Sequence, residues 1–253
     1  VNILLCNDDG IHAPGLRLLR DTAREYGEVS VVAPEYERSA AGHSITLADP
    51  LRTKEIYHGD DFFGWAVSGT PADCVKLAVC ALLDEPPDIV LSGVNLGSNT
   101  GISVLYSGTV SAATEGVILG IPGIAFSLCT YETPHWETAA GVVRRVLDRF
   151  LHNGLRPGSL LNVNIPNLPH GELRGMKPAG MGKSRFVEKF HKRTDPQGNT
   201  YYWLDGELEI LDRTDDIDIR VVGEGYVALT PIHFDLTDRD WLDHLRDASE
   251  HTE

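Results

Sequence analysis

Cysteine is scarce in this chain. There are four in 253 residues (Cys6, Cys74, Cys80 and Cys129), with no C-x-x-C pair, and three of them lie inside apolar runs. That argues against a disulfide framework and reads as reduced core thiols of a cytoplasmic protein. Basic charge is also in deficit, 22 Lys and Arg against 37 Asp and Glu, for a formal net charge of −15. A general electrostatic grip on DNA or RNA is excluded, so no stable nucleic-acid partner is expected, and a phosphate-bearing ligand needs local help from a metal or a helix N-terminus. No apolar run approaches the roughly 18 residues of a membrane helix, and the chain opens on a strand-like segment instead of a charged leader, so no membrane association is expected. Two nucleotide signatures are missing as well. No Gly-Lys-[Ser/Thr] follows a glycine-rich loop, and no G-x-G-x-x-G stands in a strand-to-helix turn. Internal repeats and low-complexity tracts are absent.

What is present is a globular composition, 42% hydrophobic and 23% charged, arranged as alternating strands and helices. Val1 to Cys6 reads as a buried parallel strand, Pro14 opens a helix closed by Gly27, and Glu28 to Ala33 is a second strand. Phe62 to Val67 is strand-like, and Thr70-Pro71-Ala72-Asp73 starts a helix running to about Leu83. Asp88 to Leu91, Gly123 to Ser127 and Leu160 to Ile165 read as strands. Helices are expected over Thr109 to Leu119 and from Thr133-Pro134 to about Leu151. This alternation specifies an α/β, Rossmann-like three-layer sandwich with a mostly parallel sheet.

Beyond Pro166 the character changes. Residues 172 to 195 carry seven Lys and Arg against three acids, an island of +4 in an acidic chain. Gln197-Gly198-Asn199 is a turn signal and Thr200 to Leu204 is aromatic and β-prone, so a protruding β-hairpin arm is expected. Such an arm suits contact with another subunit better than contact with nucleic acid. Strands over Ile217 to Val222 and Tyr226 to Leu229 and a helix started by Thr237 complete the reading. It divides the chain into a catalytic core over 1–166 and an arm and C-terminal association segment over 167–253, parts of one structural domain.

In parallel sheets, ligands bind beyond the carboxyl ends of the strands. Asn7-Asp8-Asp9-Gly10 follows the first strand, and its adjacent carboxylates read either as a divalent-cation site or as an Asx turn. After the second strand comes Arg38-Ser39-Ala40-Ala41-Gly42-His43-Ser44. After the strand at Asp88 comes the glycine-rich stretch Ser92 to Gly101, with Asn95 and Asn99. Ser103 and Tyr106-Ser107-Gly108-Thr109 then lead into a helix, where hydroxyls and free N–H groups either cap the helix, bind an anion, or do both. Asp8, Asp9, Ser39 and Asn95 each follow a strand end, so one sheet edge gathers four oxygen donors that suit Mg²⁺ or Mn²⁺.

The blocks NDDG with APGL, APEYERSAAGHSIT, SGTPADCV, SGVNLGSNTG and YSGTVSAATEG, in this order and spacing, resemble the survival-protein-E (SurE) family of nucleotidases. The resemblance implies a divalent-metal-dependent phosphomonoesterase acting on nucleoside 5′- and 3′-monophosphates, and on short polyphosphate in some members. It implies one metal ion per subunit on Asp8, Asp9, Ser39 and Asn95, and phosphate contacts around Ser103, Ser107, Gly108 and Thr109, to which Asn95 and Asn99 are added. Either acid of the pair, Asp8 or Asp9, is a candidate to accept the proton of the attacking water. His43 reads as an acid for the leaving oxygen or as a loop histidine with a structural hydrogen bond. A homodimer or homotetramer built with the arm and C-terminal part is also implied. This chain departs from the family pattern at Gly101-Ile102-Ser103-Val104, where an acidic pair is expected before the Tyr-Ser-Gly-Thr block. Two competing readings remain: a nucleotide sensor without hydrolysis, and a receiver-like phospho-acceptor module, which also opens on a strand followed by Asp-Asp.

Overall fold

Successive side chains of a strand point to opposite faces, and the first strand, Asn2–Cys6, is apolar on both. Ile3 and Leu5 enter one hydrophobic cluster, Leu4 and Cys6 another. Such a strand needs cover on two sides, and the computed structural model, which describes residues 1–151 and 154–250, supplies it. In chain order the elements are β1 (Asn2–Cys6), α1 (Pro14–Ala23), β2 (Glu28–Pro34), β3 (Thr53–His58), β4 (Asp61–Val67), α2 (Pro71–Leu77), β5 (Ile89–Leu96), α3 (Gly108–Ile118), β6 (Gly123–Cys129), α4 (Trp136–Phe150), β7 (Leu160–Pro166), β8 (Met176–Pro178), β9 (Ser184–Thr194), β10 (Thr200–Ile210), α5 (Asp218–Gly223), β11 (Val227–Ile232) and α6 (Arg239–Glu250). Leu16, Leu19 and Ala23 of α1 pack with Val142, Val143 and Val146 of α4 over Ile3 and Leu5. Cys74 and Val75 of α2 and Ala112 of α3 cover Leu4 and Cys6 on the other face. The result is the expected three-layer α/β sandwich.

The nine-stranded sheet runs β3-β4-β2-β1-β5-β6-β7-β11-β8. Its central strands are parallel, with Ile3 beside Val29 on one side and Ile89 on the other. From β1 the chain builds outward through β2 to β4, then returns to place β5 on the other flank of β1. The order therefore reverses between β1 and β5, the position where doubly wound folds bind ligands. β9 and β10 leave the sheet as an antiparallel hairpin arm, paired from Ser184↔Ile210 to Thr194↔Thr200. Asp195 closes its turn, its Oδ1 accepting from the backbone N–H groups of Gln197 (2.9 Å) and Asn199 (2.8 Å).

Several expectations are corrected. Ile217 to Val222, read as a strand from its β-branched alternation, folds as α5, because the buried Asp218 carboxylate accepts from the N–H of Ile219 in the first turn and from two distant loops. Tertiary bonds override local β-propensity there. β3, unforeseen in the sequence, adds antiparallel to β4. α4 starts at Trp136, three residues after Thr133. The last helix starts at Arg239, with Asp238 Oδ1 instead of Thr237 accepting the Trp241 N–H at 2.9 Å. Cys6 and Cys74 are buried free thiols, whereas Cys80 is exposed. Residues 251–253 of the expected C-terminal segment lie outside the described residues. Among those described, no helix is long and apolar enough to cross a membrane.

Candidate metal and phosphate site

β1 delivers Asn7, Asp8 and Asp9 to the switch point. Asn7 is fully buried and its amide donates to the Gly10 carbonyl at 3.0 Å, so the turn after the strand is fixed from within. Asp8 is 5% exposed and lies against the first turn of α3. Its Oδ1 accepts the buried Thr109 hydroxyl, and the nearby backbone amides of Gly108 and Thr109 favour its charged form. The anion held at this helix N-terminus is thus Asp8 itself, as the helix dipole and free amides favour. Gly108 makes the contact possible: a Cβ there would stand 2.6 Å from the Asp8 Cβ and 2.8 Å from its Oδ2.

Burial pushes the Asp8 carboxyl above the usual range, opposed by the Thr109 hydroxyl and those amides. Asp9, nearer the surface, is pushed up to about 7 by burial first, then by the charges of Asp8 and Glu37. Two acids and a third neighbour crowded together, with no ion pair to any of them among the described residues, form a site a divalent ion would relieve.

The loop after β2 is stitched beside them. The Arg38 N–H donates to the Asp8 carbonyl at 2.7 Å and the Gly42 N–H to the Tyr106 carbonyl at 3.0 Å. Ser39 is exposed and its hydroxyl donates to Glu37 Oε1 at 2.6 Å, while the Arg38 guanidinium turns away to the Ser68 carbonyl. Asn95 lies inside β5 and not beyond it, since this strand runs five residues past Leu91. A register shift against β6 between Ser92 and Asn95 marks a bulge, which re-aims the strand end. The Asn95 amide nitrogen donates to the Gly97 carbonyl at 2.9 Å, which leaves its oxygen as the atom for a cation. Among the described residues no cluster of three or more His, Cys, Asp or Glu side chains forms a metal site. A cation held here would have two carboxylates as its charged donors, completed by neutral oxygens and water. That donor set fits Mg²⁺ or Mn²⁺, which retain water, and is unlike the nitrogen and sulfur sets of structural zinc.

Ser107 is the N-cap of α3, its Oγ accepting from the Val110 N–H at 3.1 Å, so its own proton remains for another acceptor. Ser103 lies four residues earlier, in the 3₁₀ turn Gly101–Leu105. Two residues of the expected set are drawn elsewhere. Asn99 is 7% exposed, with its amide on Ser127 Oγ (2.8 Å), its N–H on Asn164 Oδ1 and its carbonyl accepting from Asn162 and Asn164. It anchors the glycine-rich loop to β6 and β7. His43 Nε2 lies 2.8 Å from Oε2 of the buried Glu115, which Lys76 also engages. Glu115 stands seven residues beyond Gly108 in α3, about 10 Å along the helix axis.

Sequence reasoning missed Glu37, Glu115, Asp218 and the Asn162/Asn164 pair. The asparagines were legible in principle, as two amides in an otherwise apolar buried strand. Glu115 and Asp218 answer groups 72 and 117 residues away that no local pattern announces, and Glu37 acts on Asp9 from the loop after the next strand.

Fold and donor set together define a class, a doubly wound α/β protein whose central strand ends in an oxygen-only acidic site beside a helix N-terminus. Within that class, the chain belongs to the Survival protein SurE family, whose model matches residues 3–188. It is 48% identical over 248 residues to the 5′-nucleotidase SurE of Heliobacterium modesticaldum, covering 98% of this chain and 91% of that protein. It is 49% identical over 248 residues to the 5′-nucleotidase SurE of Pelotomaculum thermopropionicum, covering 97% and 94%. The crystal structure of the Sure protein from Aquifex aeolicus superposes with a TM-score of 0.85 at 40% identity, covering 98% of this chain and all of that one.

Proposed function

We propose that this chain is a 5′-nucleotidase that hydrolyses nucleoside monophosphates with one divalent ion, Mg²⁺ or Mn²⁺, held by Asp8, Asp9, Ser39 and Asn95. The observation that carries the reading is the clamp of Asp8 onto the first turn of α3 by Thr109, which unites a carboxylate pair and a hydroxyl-rich helix start in one place. The named function of two relatives about half identical over nearly the whole chain supports it. A bound divalent ion supplies positive charge that draws the phosphoryl oxygens in and offsets the charge that builds on them. Ser107 and Ser103 donate to the phosphoryl oxygens and orient the group for in-line attack by water. Asp8 Oδ1 already accepts the Thr109 hydroxyl, so Asp9 is the acid that accepts the attacking water's proton, and the leaving oxygen takes up a proton from solvent water as the P–O ester bond breaks. The products are a nucleoside and inorganic phosphate. Action on 3′-monophosphates or short polyphosphate uses the same phosphoryl site.

The arm and C-terminal segment serve association, as a homodimer or homotetramer. Phe190, Tyr202 and Trp203 of the arm and Trp241 of α6 are 57% to 62% exposed, an apolar surface of the kind a second copy covers. Light scattering reads that state. For the activity, metal-stripped protein is supplied with AMP or GMP and then with Mn²⁺ or Mg²⁺. Phosphate release that appears with metal and stops with EDTA is expected. Nucleotide binding with no release under either metal would favour a sensor, and phosphate retained on the protein a phospho-acceptor.

A further inference from the structure

A half-exposed aromatic face stands next to the phosphate end of the site, on Tyr106. A cavity of about 470 Å³, within the usual range for small ligands of roughly 300–1,000 Å³, opens between the turn before α3 and the root of the arm. Ser103 and Tyr106 form one wall, Ala40 from the loop after β2 an edge, and Phe186, Glu188 and Gly206 of the arm the other wall.

We propose that this cavity seats the nucleoside of the substrate, with Tyr106 and Phe186 as the faces that hold the base. The inference rests on the nucleotidase reading and adds to it a place for the base. Three observations carry it. First, the two rings meet edge-on with centroids 6.4 Å apart, yet each keeps about half its surface in solvent, 52% and 43%. Half-exposed rings that flank a cavity are the arrangement by which proteins hold bases without reading their sequence. Second, the cavity continues from the phosphate end. Ser103 lines it, and Tyr106 directly precedes the Ser107 cap, with its carbonyl held by the Gly42 N–H. Third, the arm root is fastened to the phosphate loop. Asp218 accepts from the Gly101 N–H (2.9 Å) and the Gly182 N–H (3.0 Å), and Ser184 Oγ accepts from the Ile102 N–H (3.0 Å). Phe186, two residues further along β9, is thereby held in place relative to Ser103. Gly206 pairs with Glu188 in the hairpin and lines the hollow with it; a Cβ there would stand 2.6 Å from the Val187 carbonyl oxygen, so the two strands approach closely at this point.

The test compares AMP with ribose 5-phosphate, which lacks the base, using the full-length enzyme with Mn²⁺. In Tyr106→Ala and in Phe186→Ser, kcat/KM for AMP falls about 5- to 150-fold, the range for losing one base–aromatic stack. The loss is carried mainly by KM, and ribose 5-phosphate stays within about threefold, because only binding beyond the phosphate is removed. Tyr106→Phe keeps AMP turnover. Equal losses on both substrates, or no loss on AMP in either variant, overturn the slot. Phe186 is an exposed arm residue, so its variant keeps the test decisive if Tyr106→Ala fails to fold. A wild type inert to both substrates overturns the nucleotidase reading and the slot with it. An active wild type with insensitive variants overturns the slot alone.

Discussion

Replacing a helical glycine by alanine ordinarily stabilises a protein, by up to about 1 kcal/mol. At Gly108 the structure predicts a different outcome. The new Cβ would lie 2.6 Å from the Asp8 Cβ, 2.8 Å from Oδ2 and 3.0 Å from Cγ. Carbon atoms pack at about 3.5–4.0 Å, so α3 and Asp8 must separate by about 1 Å. Asp8 cannot absorb this by rotating its tip alone, because its Cβ is involved and its carboxylate is held by Thr109. Overpacking of this kind costs about 1–3 kcal/mol. Offset by the gain in helix propensity, the net loss is about 0–2 kcal/mol, a fall of no more than about 8 °C in Tm for a chain of this size. The functional effect is larger. A displacement of about 1 Å in a catalytic group lowers the rate roughly a hundredfold. Gly108→Ala is therefore expected to remain folded, to bind Mn²⁺ more weakly by calorimetry, and to lose about two orders of magnitude in kcat/KM for AMP. Wild-type turnover in this variant would refute the clamp as the organising contact of the site.

Asp218→Ala leaves the N–H groups of Gly101, Gly182 and Ile219 without their acceptor and is expected to cost about 2–3 kcal/mol, read as a lower denaturation midpoint at unchanged m-value. An unchanged midpoint would mean the arm root is not anchored there. Asp9 makes stability pH-dependent. Its folded carboxyl, pushed up to about 7, keeps its proton above the unfolded value of about 3.9. The folded state is thus favoured at low pH and loses that advantage as pH rises from about 4 to about 7. In EDTA, the Tm of the wild type relative to Asp9→Asn should fall across that window, and Mn²⁺ should reverse the trend; a flat difference in EDTA contradicts the crowding of Asp9. His43→Gln should lower Tm through the lost Glu115 contact while leaving kcat for AMP in place. Collapse of kcat in the folded variant would show His43 to be the acid for the leaving oxygen.

The layers of the fold were legible because each central strand is a short apolar run with a helix signal behind it, and Thr70-Pro71 with Asp73 is a complete capping box, realised in α2. The candidate site draws on β1, the loop after β2 and β5, which are neighbours in the sheet, although Asn95 lies within β5 and not past its end as the sequence suggested. The same logic failed where a side chain answers a distant group. Ile217–Val222 has a strand's pattern, but its Asp218 belongs to loops at 101 and 182. For His43 the sequence left two readings open, an acid for the leaving oxygen or a loop histidine with a structural hydrogen bond, and it named no partner; Glu115 on α3 engages it, a pairing 72 residues apart. Gly108 looked like part of a phosphate loop, and its tighter role, making room for Asp8, required the packing of β1 against α3.

The most direct test of the account is a Mn²⁺ titration followed by electron paramagnetic resonance on the metal-stripped protein. One ion per chain should bind near pH 8, and both Asp8→Asn and Asp9→Asn should fail to bind at Mn²⁺ concentrations that saturate the wild type. Undiminished binding by folded Asp8→Asn and Asp9→Asn proteins would contradict the claim that this carboxylate pair holds the ion.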